Sequence, residues 1–227
     1  MAKPKPTPGL KRPLLLGAAL LALGATAALA SETIDYSYDA RGRLITVVRT
    51  ATASGSTTGY AFDKADNRLQ RSALTLPDPS FELPEVGSDY VYSPTVSGMS
   101  FNSHAGVTGN ASAFGFVAAP DGDQVAFLQS TSTATGAMSL TVSGLVTGAS
   151  YRVRFRIARR PNHGLNGVTV AADGTTIGSI VPPSNAFTGY ETGTFTAAGP
   201  TALISFTGTT ALGDRASALD LVSIVPS

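Results

Sequence analysis

The sequence predicts an all-β protein: an antiparallel β-sandwich of jelly-roll type, preceded by a short β-hairpin segment. Three observations carry this expectation. Apolar and polar residues alternate over many short windows, the period of a half-buried strand. Turn signals such as Pro120-Asp121-Gly122, Thr147-Gly148 and Asp173-Gly174 fall between those windows. The long C-terminal part lacks the 3.6-residue spacing of an amphipathic helix.

The N-terminus reads differently from the rest. Residues 1–12 carry Lys3, Lys5, Lys11 and Arg12 with no acid, and residues 13–30, "PLLLGAALLALGATAALA", are small and apolar. Ala28-Leu29-Ala30 has the small-residue pattern of a cleavage site, so residues 1–30 read as a signal peptide cut after Ala30. The alternative is an uncleaved anchor, because the apolar run is about long enough to span a bilayer. Cleavage predicts a secreted protein (extracellular, at the cell surface or in the periplasm) with no membrane segment left. The leader holds four of the cations, so the remainder is net −3 rather than +1 and offers no basis for nucleic-acid binding. With no cysteine, stability has to come from a packed core, alone or with a bound metal.

Residues 31–76 form a charged block with two near-copies of one pattern, "YSYDARGRL" from Tyr36 and "YAFDKADNRL" from Tyr60. Tyr36 to Tyr60 and Asp39 to Asp63 both give a period of 24, and each copy is expected to form a β-hairpin. The texture changes near residue 77, where Pro77 and Pro79 mark the join and lysine disappears. Residues 77–227 then supply the sandwich. "SYRVRFRIA" sets Tyr151, Val153, Phe155 and Ile157 on one face and Arg152, Arg154 and Arg156 on the other. Further strands are expected at 124–129, 136–142, 167–173, 192–198, 201–207 and 217–225.

The paired motifs resemble YD repeats of the Rhs family through Tyr36, Tyr38, Asp39, Gly42, Arg43 and Leu44, then Tyr60, Phe62, Asp63, Asn67, Arg68 and Leu69. Asp66 stands where the pattern has glycine, and two copies are too few to build the shell of the large members. Residues 77–227 resemble galactose-binding-like jelly-roll domains of bacterial secreted proteins, akin to carbohydrate-binding modules. The matching stretches are "PSFELP", "SAFGFVAAPDGDQVAFLQ", "LTVSGLVTGASYRVRFRIARRPN", "VAADGTTIG" and "SALDLVSIV". The resemblance implies that Glu82 and Asp220 meet beside a structural calcium ion as first and last strands pair. Calcium takes six to eight oxygens, so loop carbonyls would complete the set. The alternative is that Asp220 bonds a turn and Glu82 is simply exposed.

A sugar needs an aromatic platform and planar polar groups. The candidates are Tyr90, Tyr92, Phe187 and Tyr190, with Arg160 and Asn166 at the positions the resemblance marks as polar. Arg154 belongs to the arginine stripe, which either engages an anionic polysaccharide or is a solvated face paired with acids. Arg160 has its own alternative, a structural ion pair. Catalytic signatures are missing: His104 and His163 are isolated, there is no G-x-S-x-G, and Asp121 and Asp123 flank a turn glycine. The expected function is non-catalytic binding of a glycan or other extracellular polymer. The rivals are an assembly role, in which the hairpins add strands to another YD-repeat protein, and a polysaccharide hydrolase.

Overall fold

The computed structural model describes residues 32–51, 54–62 and 64–227, so the expected signal peptide and Asp63 lie outside the described residues. The described chain is all β. In order, the strands are β1 (Glu32–Tyr38), β2 (Leu44–Ala51), β3 (Ser54–Phe62), β4 (Arg68–Pro77), β5 (Tyr90–Tyr92), β6 (Met99–Phe101), β7 (Ala105–Gly109) and β8 (Gln124–Ser130). They continue with β9 (Ala137–Ser143), β10 (Ser150–Arg159), β11 (Val168–Ala172), β12 (Thr175–Ile180), β13 (Thr188–Glu191), β14 (Phe195–Thr196), β15 (Thr201–Gly208) and β16 (Arg215–Pro226). Two antiparallel sheets result. One runs β1-β2-β3-β4-β9-β15-β11-β12 with β6 also on β9; the other runs β13-β10-β16-β8-β7-β5 with β14 on β10.

The core lies between these sheets, and alternation builds it. Tyr151, Val153, Phe155 and Ile157 of β10 point inward while the arginines between them point out. From the facing sheet come Leu140 and Val142 of β9, Val168 and Val170 of β11, and Ile204 and Phe206 of β15. The closing strand β16 adds Leu219, Val222 and Ile224. Its register against β10 slips between Arg154 and Arg156, where Leu221 takes a positive φ of 52°. This bulge puts both Asp220 and Leu221 off the inner face.

The first block joins the same sheet. β1 to β4 form a meander, and β4 meets β9 at Thr75 and Ser143. Leu74 and Leu76 are fully buried in the main core, and β2 and β3 pack against β16. The two repeated turns are built alike. Gly42 has φ 76°, and Asp66, twenty-four residues on, has φ 66°; aspartate tolerates this left-handed geometry better than most side chains. Asp39 Oδ1 accepts the backbone N–H of Arg41 and of Arg43, fixing the first turn. Asp66 ties the second turn to the first through Arg43 Nη1 at 2.6 Å and Arg41 Nη1 at 3.2 Å.

The meander face toward the second sheet contains Gly55, Thr57 and Gly59, all buried. Thr57 Oγ1 has no hydrogen-bond partner among the described residues. An unpaired buried hydroxyl costs about 1–3 kcal/mol. Thr57→Val, which keeps the shape and removes the hydroxyl, is therefore expected to stabilise the protein by about 1 kcal/mol in urea unfolding. Leu76→Ala is expected to cost about 2–5 kcal/mol in the same assay. A neutral Leu76→Ala would mean that β4 is not seated in the core.

Candidate functional site

The outer face of the second sheet carries an aromatic cluster. Tyr90 and Tyr92 alternate with the inward Val91 on β5, and Phe127 projects outward from β8 between the inward Ala126 and Leu128. The loop after β7 folds back so that Phe114 lies on Phe127, ring centroids 4.3 Å apart, with Phe116 stacked on Phe114 at 5.8 Å. Tyr90 meets Phe114 edge-on at 5.2 Å and stays 41% exposed. Gly106 allows the close pairing of β5 and β7, since a Cβ there would lie 1.9 Å from Val91 O.

A polar chain borders the rings. The Tyr92 hydroxyl donates to Gln129 Oε1, and Gln129 Nε2 donates to Asp214 Oδ1 at 2.6 Å. Burial pushes the Tyr92 phenol above its ordinary value, and the neighbouring Tyr90 and Asp214 charges push the same way. Arg160 Nη1 donates to both oxygens of Asp214, at 2.9 and 3.0 Å, and its Nε to Phe114 O at 3.1 Å. Its guanidinium lies over the Phe114 ring, 4.7 Å from the centroid. Arg160 thus fastens the Phe114 loop to the sheet, the ion-paired role that was its alternative. Sequence reasoning missed Asp214, whose side chain is half exposed.

The other candidates lie elsewhere. Asn166, expected at a ligand, is fully buried: Nδ2 donates to Leu128 O at 2.9 Å and Oδ1 accepts the Thr210 N–H, so it builds a loop and has no surface to offer. Tyr190 packs its ring against Phe155, 5.4 Å away, and its hydroxyl donates to Ser179 O, so it belongs to the sheet edge rather than to the Tyr90 patch. Arg154 pairs with Glu191, as does Arg152 at 2.7 Å. These two guanidinium groups hold the Glu191 carboxyl below its usual range by hydrogen bonding.

Glu82 and Asp220 do converge, on the turn at 121–124. Asp220 Oδ2 accepts the Asp121 N–H at 3.0 Å, and Glu82 Oε1 accepts those of Asp123 and Gln124 at 3.1 and 3.0 Å. Glu82 is half-buried rather than exposed, with its carboxyl against Gly122. Asp78 is buried beside them, accepting the Glu82 and Leu83 N–H groups. Burial pushes Asp220 up to about 8 and Asp78 up to about 6; backbone hydrogen bonds pull each back, and for Asp220 the Asp121 and Glu82 charges add to the rise. Glu82 is raised as well, chiefly by burial. Rich in carboxyl oxygens and largely buried, the cradle suits a hard cation in kind. Among the described residues, however, no three acid or histidine side chains converge as a metal-binding group, so backbone carbonyls would have to supply most of the shell.

A carboxyl whose pKa is higher in the fold than in the unfolded chain favours the protonated protein. Its stabilising effect is complete below the ordinary value of 3.8 and is lost as pH rises toward the folded values of about 6 and about 8. Chelator-treated protein should therefore melt at progressively lower temperature from about pH 5 to about pH 8, and Asp220→Asn should flatten the upper part of that slope. A melting temperature that climbs over this range in chelator would contradict the cradle's electrostatics.

No known protein family and no curated protein sequence matches the chain. Solved structures with a similar fold include the EclA C-terminal domain, a sugar-binding protein, at 23% identity and TM-score 0.34; the match covers 38% of this chain and 64% of that one. The CBM22-1 xylan-binding domain from Paenibacillus barcinonensis Xyn10C matches at 16% identity and TM-score 0.45 over 65% of this chain and 90% of that one. TmCBM61, solved in complex with beta-1,4-galactotriose, matches at 14% identity and TM-score 0.44 over 66% and 95%.

Proposed function

We propose that this chain is a secreted, non-catalytic glycan-binding protein that holds its ligand on the outer face of the second sheet. The carrying observation is the Tyr90–Tyr92 patch, where an exposed ring rests on Phe114 beside the Asp214 carboxylate and the Gln129 amide. A sugar ring offers an apolar face to the aromatic platform and hydroxyl donors to the carboxylate. The platform is held in place before binding, because Arg160 pins the Phe114 loop; such preorganisation lowers the entropy cost of association. Glu82 and Asp220 would hold a structural calcium ion that neutralises the cradle and stabilises the fold by mass action.

On an array of neutral and acidic oligosaccharides, Tyr90→Ala is expected to weaken binding about tenfold with the melting temperature unchanged. Binding that survives both Tyr90→Ala and Asp214→Asn would remove this face as the site. Calcium is expected to raise the melting temperature at neutral pH and chelator to lower it; no response to either would remove the ion.

The assembly reading keeps one observation of its own. β1 is an edge strand whose only partner among the described residues is β2, so its outer edge can take another strand. Co-purification with a YD-repeat protein, without glycan binding, would favour that reading.

A further inference from the structure

Of the three arginines that line the outer face of β10, two are spent on one acid. Arg152 and Arg154 both reach Glu191, whereas the Arg156 side chain is exposed and makes no hydrogen bond or ion pair among the described residues. Its nearest counterpart in register is Asp220, but both Asp220 oxygens accept amide N–H groups, from Asp121 and from its own neighbour Leu221. The acids that line the first groove beside it are Glu191, already held by two guanidinium groups, and Asp35 of β1.

Arg156 stands where two open grooves meet over the bulged Leu221. The first, of about 360 Å³, has the sheet as its floor and Asp35 and Val48 of the meander as one wall. The second, of about 420 Å³, is walled by Val117, Pro120, Ala186 and Phe187, and among the described residues Arg156 is its one charged side chain. Both volumes fall in the range of small-ligand clefts, about 300–1,000 Å³. Phe187 supplies a partly exposed ring and Arg156 an unpaired planar fork of donors, the pairing that suits a carboxylate carried on a body with an apolar face.

We propose that the Arg156–Phe187 groove is a second subsite, specific for a carboxylated sugar residue of the uronic-acid class. The ligand class rests on the glycan-binding reading above, but the subsite is separate from the Tyr90 patch. The carboxylate takes the Arg156 fork, the sugar face lies on Phe187, and the chain continues past Leu221 along the wall formed by Val48. The first-block meander thereby becomes part of a binding surface rather than an appendage.

The test uses a tetrameric galacturonate and its methyl ester, which keeps the body and removes the charge, in titration calorimetry with the full mature chain. Wild type should bind the acid more tightly than the ester. Arg156→Ala should lose roughly 10- to 100-fold for the acid and little for the ester. Arg156→Lys should recover part of the loss, and Phe187→Ala should weaken both ligands. Tyr90→Ala leaves the acid–ester preference in place, which separates failure of this subsite from failure of the Tyr90 patch. Arg156 is solvent-exposed, so its variants should melt with wild type. Equal affinity for acid and ester, no binding of either by wild type, or unchanged acid binding in Arg156→Ala would overturn the proposal.

Discussion

Between Pro77 and Pro84 the chain leaves the first sheet, sends Phe81 into the core and comes out beside the turn at 121–124. Each step is fixed by a contact to a different part of the molecule. Pro79 lies so close to β3 that a Cβ on Gly55 would stand 2.6 Å from its ring, and Pro79 O accepts the Val222 N–H of the closing strand. Ser80 Oγ donates to Asp121 Oδ2 at 2.8 Å, and Gln124 Nε2 donates to both Phe81 O and Pro84 O. Phe81 is held at φ 59°, a conformation that a bulky side chain keeps only when its surroundings over-determine it. Meander, sandwich and closing strand are all tied through this one segment.

The same packing creates the electrostatic tension of the fold. Glu82 is brought near both Asp78 and Asp220 because the segment and β16 are buried against each other, and amide donors answer these carboxyls only in part. The bulge in β16 is the geometric counterpart. It turns Asp220 under the 121–124 turn and leaves Leu221 as the floor of the two grooves. Stability at one end of the outer face and the shape of the grooves along it therefore share a cause.

Much of this was legible in the letters. The alternation of β10 separated core from arginines without ambiguity, and the windows of β8, β9, β11, β15 and β16 emerged where periodicity put them. Glu82 and Asp220 were paired by the resemblance, and the structure brings both to one turn. What was not legible depends on tertiary partners. β5 and β7 are short, and β7, "AGVTG", is buried throughout, so it shows no alternation to read. Asp214 and the Phe114 loop come together only because Arg160 joins them. Asn166 shows the converse: a polar residue at a marked position whose hydrogen bonds are all internal. Which arginine of the stripe remains free follows from the position of Glu191 on β13, a strand that the sequence did not disclose.

The central claim is that the buried 77–84 segment makes the meander and the sandwich one cooperative unit. Native-state amide hydrogen exchange tests it directly. The account predicts that the slowest amides of β3 and β4 open with nearly the same free energy as those of β9 and β16. Rapid exchange throughout β3 and β4, beside a fully protected β9, would contradict it.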